Sequence, residues 1–129
     1  MSDASGKSEA QPRLVTSGGR PLLIAVLGTS HASAAALAHS VRQAGGIVAT
    51  YGTACREVIE EVEENPPDAA LIEIEVENAV DAVDCAHAMT ARVKIVIVFL
   101  AGPIDPATRA RINAVPRSRI VDKPVLTRG

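Results

Sequence analysis

The acidic residues of the segment LIEIEVE and the lysine of the segment DKP are the side chains in this sequence best suited to chemistry. Glu73, Glu75 and Glu77 alternate with aliphatic residues at the end of an apolar run, and Lys123 follows a later apolar run. Mg²⁺ takes one or two protein carboxylates into its octahedral oxygen shell, and Glu73 is the clear candidate here. The simpler interpretation, which we favour, is that Glu73 pairs with Lys123 across the strand ends while Glu75 and Glu77 are solvated. Lys123 could also pair with the adjacent Asp122.

Short aliphatic runs that alternate with helical patterns must position these groups. Such alternation is typical of an α/β domain with a parallel sheet. Right-handed crossovers then predict a doubly wound, five-stranded sheet of flavodoxin-like order, with functional sites at the carboxyl ends of the strands. The predicted strands are LLIAVL at 22–27, IVATYG at 47–52, DAALIEI at 68–74, KIVIVFLAG at 94–102 and SRIVDKP at 118–124.

The helices between these strands have recognisable start and stop signals. Ser30 is a predicted N-cap and Gly45 a predicted stop for the first helix, and Asp105 followed by Pro106 predicts the start of the last. Apolar residues recur at helical spacing, which gives the first two helices a buried stripe. The stripes comprise Ala34, Leu37, Ala38, Val41 and Ala44 in the first helix, and Val58, Ile59 and Val62 in the second.

Composition limits the class of protein. A chain of 129 residues with 47% hydrophobic and 22% charged residues predicts one globular domain, here residues 21–129, after a polar and disordered arm at 1–20. A net charge of -2 without a basic run disfavours direct nucleic-acid binding, and no apolar run is long enough to span a membrane. Cys55 and Cys85 are too few for a disulfide framework, so we expect inert cysteines in a reducing cytoplasm.

The order of the segments LLIAVLGTS, NPPDAALIEI, KIVIVFLAG and IVDKP resembles that of the receiver domain of bacterial response regulators. The resemblance covers residues 22–124. Its most specific parts are NPPDAALIEI, which is similar to the lead into the phosphoacceptor strand, and DKP, which is similar to the lysine motif closing the fifth strand.

This resemblance assigns a family role to individual positions. The Mg²⁺-binding acidic pair falls on Leu27 and Gly28, the acceptor aspartate on Glu73, and the Ser/Thr hydroxyl that ends the fourth strand on Ala101. The lysine is retained as Lys123, while the position of the switch aromatic on the fifth strand falls on Ile120.

These substitutions would leave a degenerate phosphorylation corner, which comprises Leu27, Gly28, Glu73, Ala101 and Lys123. Without the metal ligands and the hydroxyl, little remains to neutralise and orient a transferring phosphoryl group. We therefore expect a phosphorylation-independent pseudo-receiver that is not an enzyme and holds no metal or cofactor. An alternative role for Glu73 is to imitate an aspartyl phosphate, although glutamate carries one charge where a phosphate carries nearly two.

Protein contact is then the expected mode of action, in a bacterial two-component or transcription/antitermination system. The predicted interaction surface comprises Arg109, Arg111, Ile112, Ile120 and Val121. Only LTRG follows DKPV, so the final helix of a receiver is missing and one sheet face should be uncovered. The expected partner is another protein or a second copy of the chain, and an output domain could follow in a longer chain.

A rival interpretation comes from GTSH followed by GGIVATYG, which resembles the flavodoxin-like cobalamin-binding domain. His31 would be the cobalt ligand. The aspartates that flank that histidine in the family fall here on Thr29 and Ala32, and its following glycine on Ala34. A ligating histidine without a carboxylate partner would be poorly oriented.

Overall fold

Five parallel strands and four helices alternate along the chain in a computed structural model that describes residues 14–123. The elements are β1 (Leu23–Leu27), α1 (His31–Gln43), β2 (Ile47–Gly52), α2 (Cys55–Glu64), β3 (Ala69–Ile74), α3 (Ala79–Arg92), β4 (Val96–Ala101), α4 (Pro106–Asn113) and β5 (Ser118–Asp122). A short 3₁₀ turn, Val76–Asn78, follows β3. The strand order is β2-β1-β3-β4-β5, which confirms the predicted flavodoxin-like sheet.

The sheet separates two apolar cores of unequal size. Helices α2, α3 and α4 pack on one face, where Ile72, Ile97 and Phe99 are fully buried. The opposite face carries a smaller core of Ile24, Val26 and Val41, with α1 above it. Because successive side chains of a strand point to opposite faces, β3 and β4 contribute alternate residues to the two sides.

Helix boundaries follow the capping chemistry expected from the sequence. The Ser30 hydroxyl accepts a hydrogen bond from the Ser33 amide, and α1 is followed by Gly45 at φ +94°, a conformation that glycine adopts without a steric penalty. Asp105 accepts from the Thr108 amide, and Pro106 opens α4. These predictions are confirmed.

The ordered fold begins earlier than predicted. The Leu14 amide donates to the Ala44 carbonyl at 3.0 Å, and Val15 forms an antiparallel bridge with Pro21. The Arg20 guanidinium lies 3.2 Å from a carboxylate oxygen of Asp68, at the amino end of β3. The arm predicted at 1–20 is therefore wrong for residues 14–20, because backbone pairing offsets their ordering cost. The rest of that arm and the position of a final helix after β5 lie outside the described residues.

No helix within residues 14–123 is long and apolar enough to cross a membrane.

Helix α1 lies very close to the carboxyl end of β1. A Cβ atom on Gly28 would lie 2.7 Å from both the amide nitrogen and the Cα of Ala34, which is fully buried. These contacts are backbone atoms in the first turns of α1, so a side chain at position 28 cannot be accommodated by a rotamer change. The close packing at this point depends on the absence of a side chain at Gly28.

We predict that Gly28→Ala lowers the free energy of unfolding by about 2 kcal/mol, the usual scale for overpacking. Gly102→Ala is the matched control, since no heavy atom lies within 4 Å of a Cβ built there. The control should remain within about 0.5 kcal/mol of the parent protein. Urea denaturation of the three proteins measures both values, and equal losses in the two variants would contradict the steric argument.

Candidate functional site

Polar groups from three elements meet around Glu73 at the carboxyl edge of the sheet. Glu73 is the fifth residue of β3, and its side chain points away from the larger core, on the side where α1 packs. Thr29 follows β1, Ser33 lies in the first turn of α1, and Lys123 follows β5. Parallel strands bring their carboxyl ends to one edge, which is why residues so distant in sequence converge. We call Glu73, Thr29, Ser33 and Lys123 the Glu73 site.

The Glu73 carboxylate is fully occupied by hydrogen-bond donors. Oε1 accepts from the Thr29 amide at 2.9 Å and from the Thr29 hydroxyl at 3.0 Å. Oε2 accepts from the Ser33 hydroxyl at 3.2 Å and lies 2.9 Å from the Lys123 ammonium nitrogen. An ionised carboxylate offers about four acceptor positions, and all are used here. The favoured prediction of a Glu73–Lys123 ion pair is confirmed.

Burial and hydrogen bonding act in opposite directions on Glu73. Its side chain is only 8% exposed, and this desolvation raises the pKa of the carboxyl. The Thr29 amide, Lys123, Ser33 and the Thr29 hydroxyl stabilise the ionised form and together lower the pKa to about 2. Glu73 is therefore a buried anion at neutral pH.

Lys123 bridges Glu73 to a second carboxylate. Its ammonium group also donates to Glu75, so the prediction that Glu75 is merely solvated is wrong. Burial lowers the pKa of Lys123, but hydrogen bonds and charge attraction from Glu75 and Glu73 raise it overall. Asp122 is exposed and is not the ion-pair partner of Lys123. Asn78 completes the arrangement because its amide donates to the Glu73 carbonyl and its oxygen accepts from the Glu75 amide.

The remaining members of the predicted corner contribute no side-chain polar group. Leu27 and Ala101 are buried in the larger core, and Gly28 has only backbone to offer. The Ala101 carbonyl accepts from the Lys123 amide at 2.7 Å, which fixes the chain where β5 ends. The sequence did not single out Thr29 or Ser33 for this site, although Thr29 lies only two residues beyond the end of β1 at Leu27.

The predicted interaction surface is not one surface. Ile112 is fully buried in the larger core, so its assignment to a contact surface is wrong. Ile120 packs against the same core, whereas Arg109 and Arg111 are exposed on α4. Val121 is 48% exposed and faces the opposite side of the sheet, because neighbouring residues of a strand alternate between faces.

Within the described residues, that opposite side is largely uncovered over β3, β4 and β5. Among residues 14–123, α1 is the one helix on this side, and it packs on β1 and β2. The apolar residues on this side are half-buried or exposed, and the exposed Arg119 lies among them beside Val98. Ala69, Leu71 and Val98 border a small apolar cavity of about 150 Å³ beside Leu14 and Val41. We call the apolar residues of this side the open face, which comprises Ala69, Leu71, Val96, Val98, Leu100 and Val121.

A larger cavity adjoins the Glu73 site on the side of α2 and α3. It measures about 460 Å³, and its walls include Thr29, Asn78, Asp81, Cys55 and Cys85. The two cysteines form a disulfide, with Cα atoms 5.9 Å apart, which joins the start of α2 to the middle of α3. The expectation that these cysteines form no disulfide is therefore wrong, because packing of these helices brings together residues 30 positions apart.

His31, the ligand of the rival interpretation, is the first residue of α1. Its side chain is exposed, and its ring centroid lies 6.4 Å from that of Tyr51. Within residues 14–123, His, Cys, Asp and Glu side chains do not gather in threes that could hold a metal ion.

We predict that protonation of Glu73 destabilises the fold at acid pH. Because its pKa is about 2 in the folded protein and 4.5 ordinarily, ionised Glu73 stabilises the fold above pH 4.5. This stabilisation, on the order of 3 kcal/mol, is lost as the pH falls from 4.5 towards 2. Urea denaturation of the parent and of Glu73→Gln should show a large difference at pH 7 that narrows over this interval. Glu77→Gln, at an exposed position, is the control, and a constant difference between parent and Glu73→Gln would contradict the assignment.

Comparison with known proteins identifies the fold. No protein-family model matches the sequence, and no curated protein matches it. Among solved structures, the Vibrio cholerae chemotaxis protein CheY4 superposes with a TM-score of 0.66 at 18% identity, covering 81% of this chain and 88% of that one. The N-terminal domain of a response regulator receiver protein from Methanoculleus marisnigri JR1 gives a TM-score of 0.62 at 19% identity, covering 80% and 85%.

A third similar structure is a fusion protein that carries part of the trimeric coiled coil of yeast Spc42. Its TM-score is 0.70 at 24% identity, with 82% of this chain and 69% of that chain covered. At these identities the similarity concerns architecture. The chain has the five-stranded α/β fold of response regulator receiver domains.

Proposed function

We propose that this chain is a pseudo-receiver, a signalling module that acts through protein contact and does not accept a phosphoryl group. The proposal depends above all on the Glu73 carboxylate, which the sequence resemblance assigns to the acceptor position and which has both oxygens engaged by two donors each. A carboxylate that attacks phosphorus needs an oxygen lone pair directed at the incoming group. Here attack would first require the loss of hydrogen bonds from Thr29, Ser33 or Lys123.

The positions that would hold Mg²⁺ support the same proposal. Leu27 offers no oxygen ligand from its side chain, and a side chain at Gly28 would collide with the backbone of α1. Phosphoryl transfer depends on positioning and on neutralisation of charge over the equatorial oxygens. Glu73 and Glu75 already neutralise Lys123, so the retained lysine is not a free cation for an incoming phosphoryl group.

Charge balance argues against a permanent phosphate mimic. An aspartyl phosphate carries nearly two charges, whereas Glu73 carries one and is held by donors of its own domain. We infer that Glu73 serves as a fixed structural anion that ties β1, α1 and β5 together. The carboxyl edge of the sheet then adopts its arrangement around Glu73 without a phosphodonor.

The open face is the surface that we assign to protein contact. Parallel sheets in α/β domains are normally covered on both faces, and contiguous apolar patches rarely remain exposed to water. Val96 and Val121 are 39% and 48% exposed on this face, and Val98 and Leu100 lie between them. A second copy of the chain is the first partner to test, because two such faces could bury each other.

The absence of phosphoryl chemistry predicts no response to a phosphoryl analogue. Addition of Mg²⁺ and beryllofluoride to ¹⁵N-labelled protein should leave the amide signals of Gly28, Glu73, Ala101 and Lys123 unshifted. A phosphorylatable receiver domain under the same conditions is the positive control. Saturable shifts clustered at these residues would refute a phosphorylation-independent function.

The open face predicts a specific effect on self-association. Val121→Asp should weaken association about tenfold or more, since it places a charge in an apolar contact. Val80→Asp on α3 is the matched control, because Val80 has a similar exposure of 53% but lies away from the open face. Sedimentation velocity over a concentration series measures both variants. A parent protein that stays monomeric throughout, or equal effects of the two substitutions, would exclude this face as a self-contact.

A further inference from the structure

We propose that Cys55 and Cys85 form a reversible thiol–disulfide site whose redox state is transmitted to the Glu73 site. The partner class is a dithiol protein or small dithiol in the reducing direction and a peroxide in the oxidising direction. The exchange chemistry stands independently of the function proposed above. The idea that the disulfide regulates a signalling module in place of phosphorylation does rest on the proposed pseudo-receiver function.

The two sulfur atoms are unequally protected, as exchange at one defined position requires. Cys85 lies in the middle of α3 and is 2% exposed, whereas Cys55 is half-buried as the first residue of α2. Both line the cavity of about 460 Å³, whose walls also include exposed residues such as Thr53 and Asp84. A reductant can therefore approach the Cys55 sulfur from solvent without unfolding of the larger core.

Position also favours Cys55 as the reactive thiol. It stands at the amino end of α2, a helix of ten residues, and the N-cap residue Ala54 makes no side-chain hydrogen bond to the first turn. Unpaired amides at a helix start stabilise a thiolate placed there. Cys55 is thus suited both to attack an oxidant and to leave from a mixed disulfide.

The reducing reaction transfers two electrons by ordinary thiol–disulfide exchange. A thiolate of the dithiol attacks Sγ of Cys55, the bond between the cysteines breaks, and Cys85 departs as a thiolate that takes up a proton. The second thiol of the reductant then attacks the mixed disulfide and releases Cys55, while the reductant becomes a disulfide.

Reoxidation can use hydrogen peroxide. The Cys55 thiolate attacks one peroxide oxygen to give a sulfenic acid and hydroxide, which becomes water on protonation. Cys85 attacks the sulfenic sulfur, restores the disulfide and, after proton transfer, releases a second water. Two thiols and one peroxide are thereby converted to one disulfide and two waters.

Shared cavity walls connect this disulfide to Glu73. Thr29 and Asn78 line the same cavity as the cysteines. Thr29 donates twice to the Glu73 carboxylate, and Asn78 donates to the Glu73 carbonyl. A shift of α2 or α3 at the cavity would therefore act directly on groups bound to Glu73.

Reduction removes the strongest link between α2 and α3. The remaining polar link is the ion pair between Glu63 and Arg92, which is 2.8 Å long but has both side chains nearly half exposed. Ion pairs of this kind contribute little to stability. Apolar contacts, including those of Val58 and Val62, would then supply most of the attraction between the two helices.

The test compares oxidised and reduced protein under native conditions. Dithiothreitol is a suitable reductant because it is uncharged and the cavity rim carries Asp81 and Asp84. We expect the oxidised protein to take no maleimide label, and the reduced protein to take one label at Cys55 under native conditions and a second, at the buried Cys85, only after denaturation, by intact mass. We further expect amide shifts at Thr29, Glu73 and Asn78 on reduction, and their reversal with peroxide. The double variant Cys55→Ser with Cys85→Ser should show no response to dithiothreitol. If this variant folds poorly, the comparison of oxidised and reduced parent protein still tests whether the amide signals shift on reduction.

Three results would overturn the proposal. Reduction that occurs only in denaturant would make the bond purely structural, and a native label at Cys55 that is unchanged by peroxide would mean that the bond does not form. Shifts confined to α2 and α3 would remove the link to Glu73. Beryllofluoride-dependent shifts in either redox state would refute the phosphorylation-independent function instead and leave the thiol result standing.

Discussion

The need to satisfy a buried carboxylate determines how the carboxyl edge of this sheet is assembled. Glu73 is nearly inaccessible to water and ionised, a condition that is very costly without compensating partners. Its donors come from the loop after β1, from α1 and from the residue after β5. The positions of these segments are therefore mutually dependent. Removal of one donor would leave a buried charge only partly satisfied, which usually costs more than the intact contact contributes.

The two faces of the sheet differ in how many helices pack on them. Three helices with small and branched side chains close the larger core, where Phe99 and Met89 are fully buried. On the other face α1 covers only β1 and β2 within the described part of the chain, and the strands beyond them present apolar side chains. The same domain thus combines a carboxyl edge whose buried charge is fully hydrogen-bonded with a largely apolar face suited to contact.

The sequence was most informative where a signal is local. Strand runs, the caps at Ser30 and Asp105 and the stop at Gly45 depend on neighbours a few residues away, and each is found as expected. The Glu73–Lys123 pair could also be anticipated, because two strand ends of a parallel sheet must meet. Thr29 and Ser33 were not anticipated, since common hydroxyl residues acquire a role only when a partner about 40 positions away is placed beside them. The Cys55–Cys85 bond and the burial of Ile112 depend likewise on how helices pack, which periodicity alone does not determine.

The contact between Gly28 and α1 also has an evolutionary consequence. An acidic side chain at position 28 cannot be gained by one substitution, because the backbone at Ala34 occupies the required space. Helix α1 would first have to move away from β1, which would loosen a tight contact and bring no benefit until the acid was present. A lineage that carries this packing would have to pass through a less stable intermediate to acquire an acidic side chain at this position. Selection for stability alone would then hold the chain in its present form.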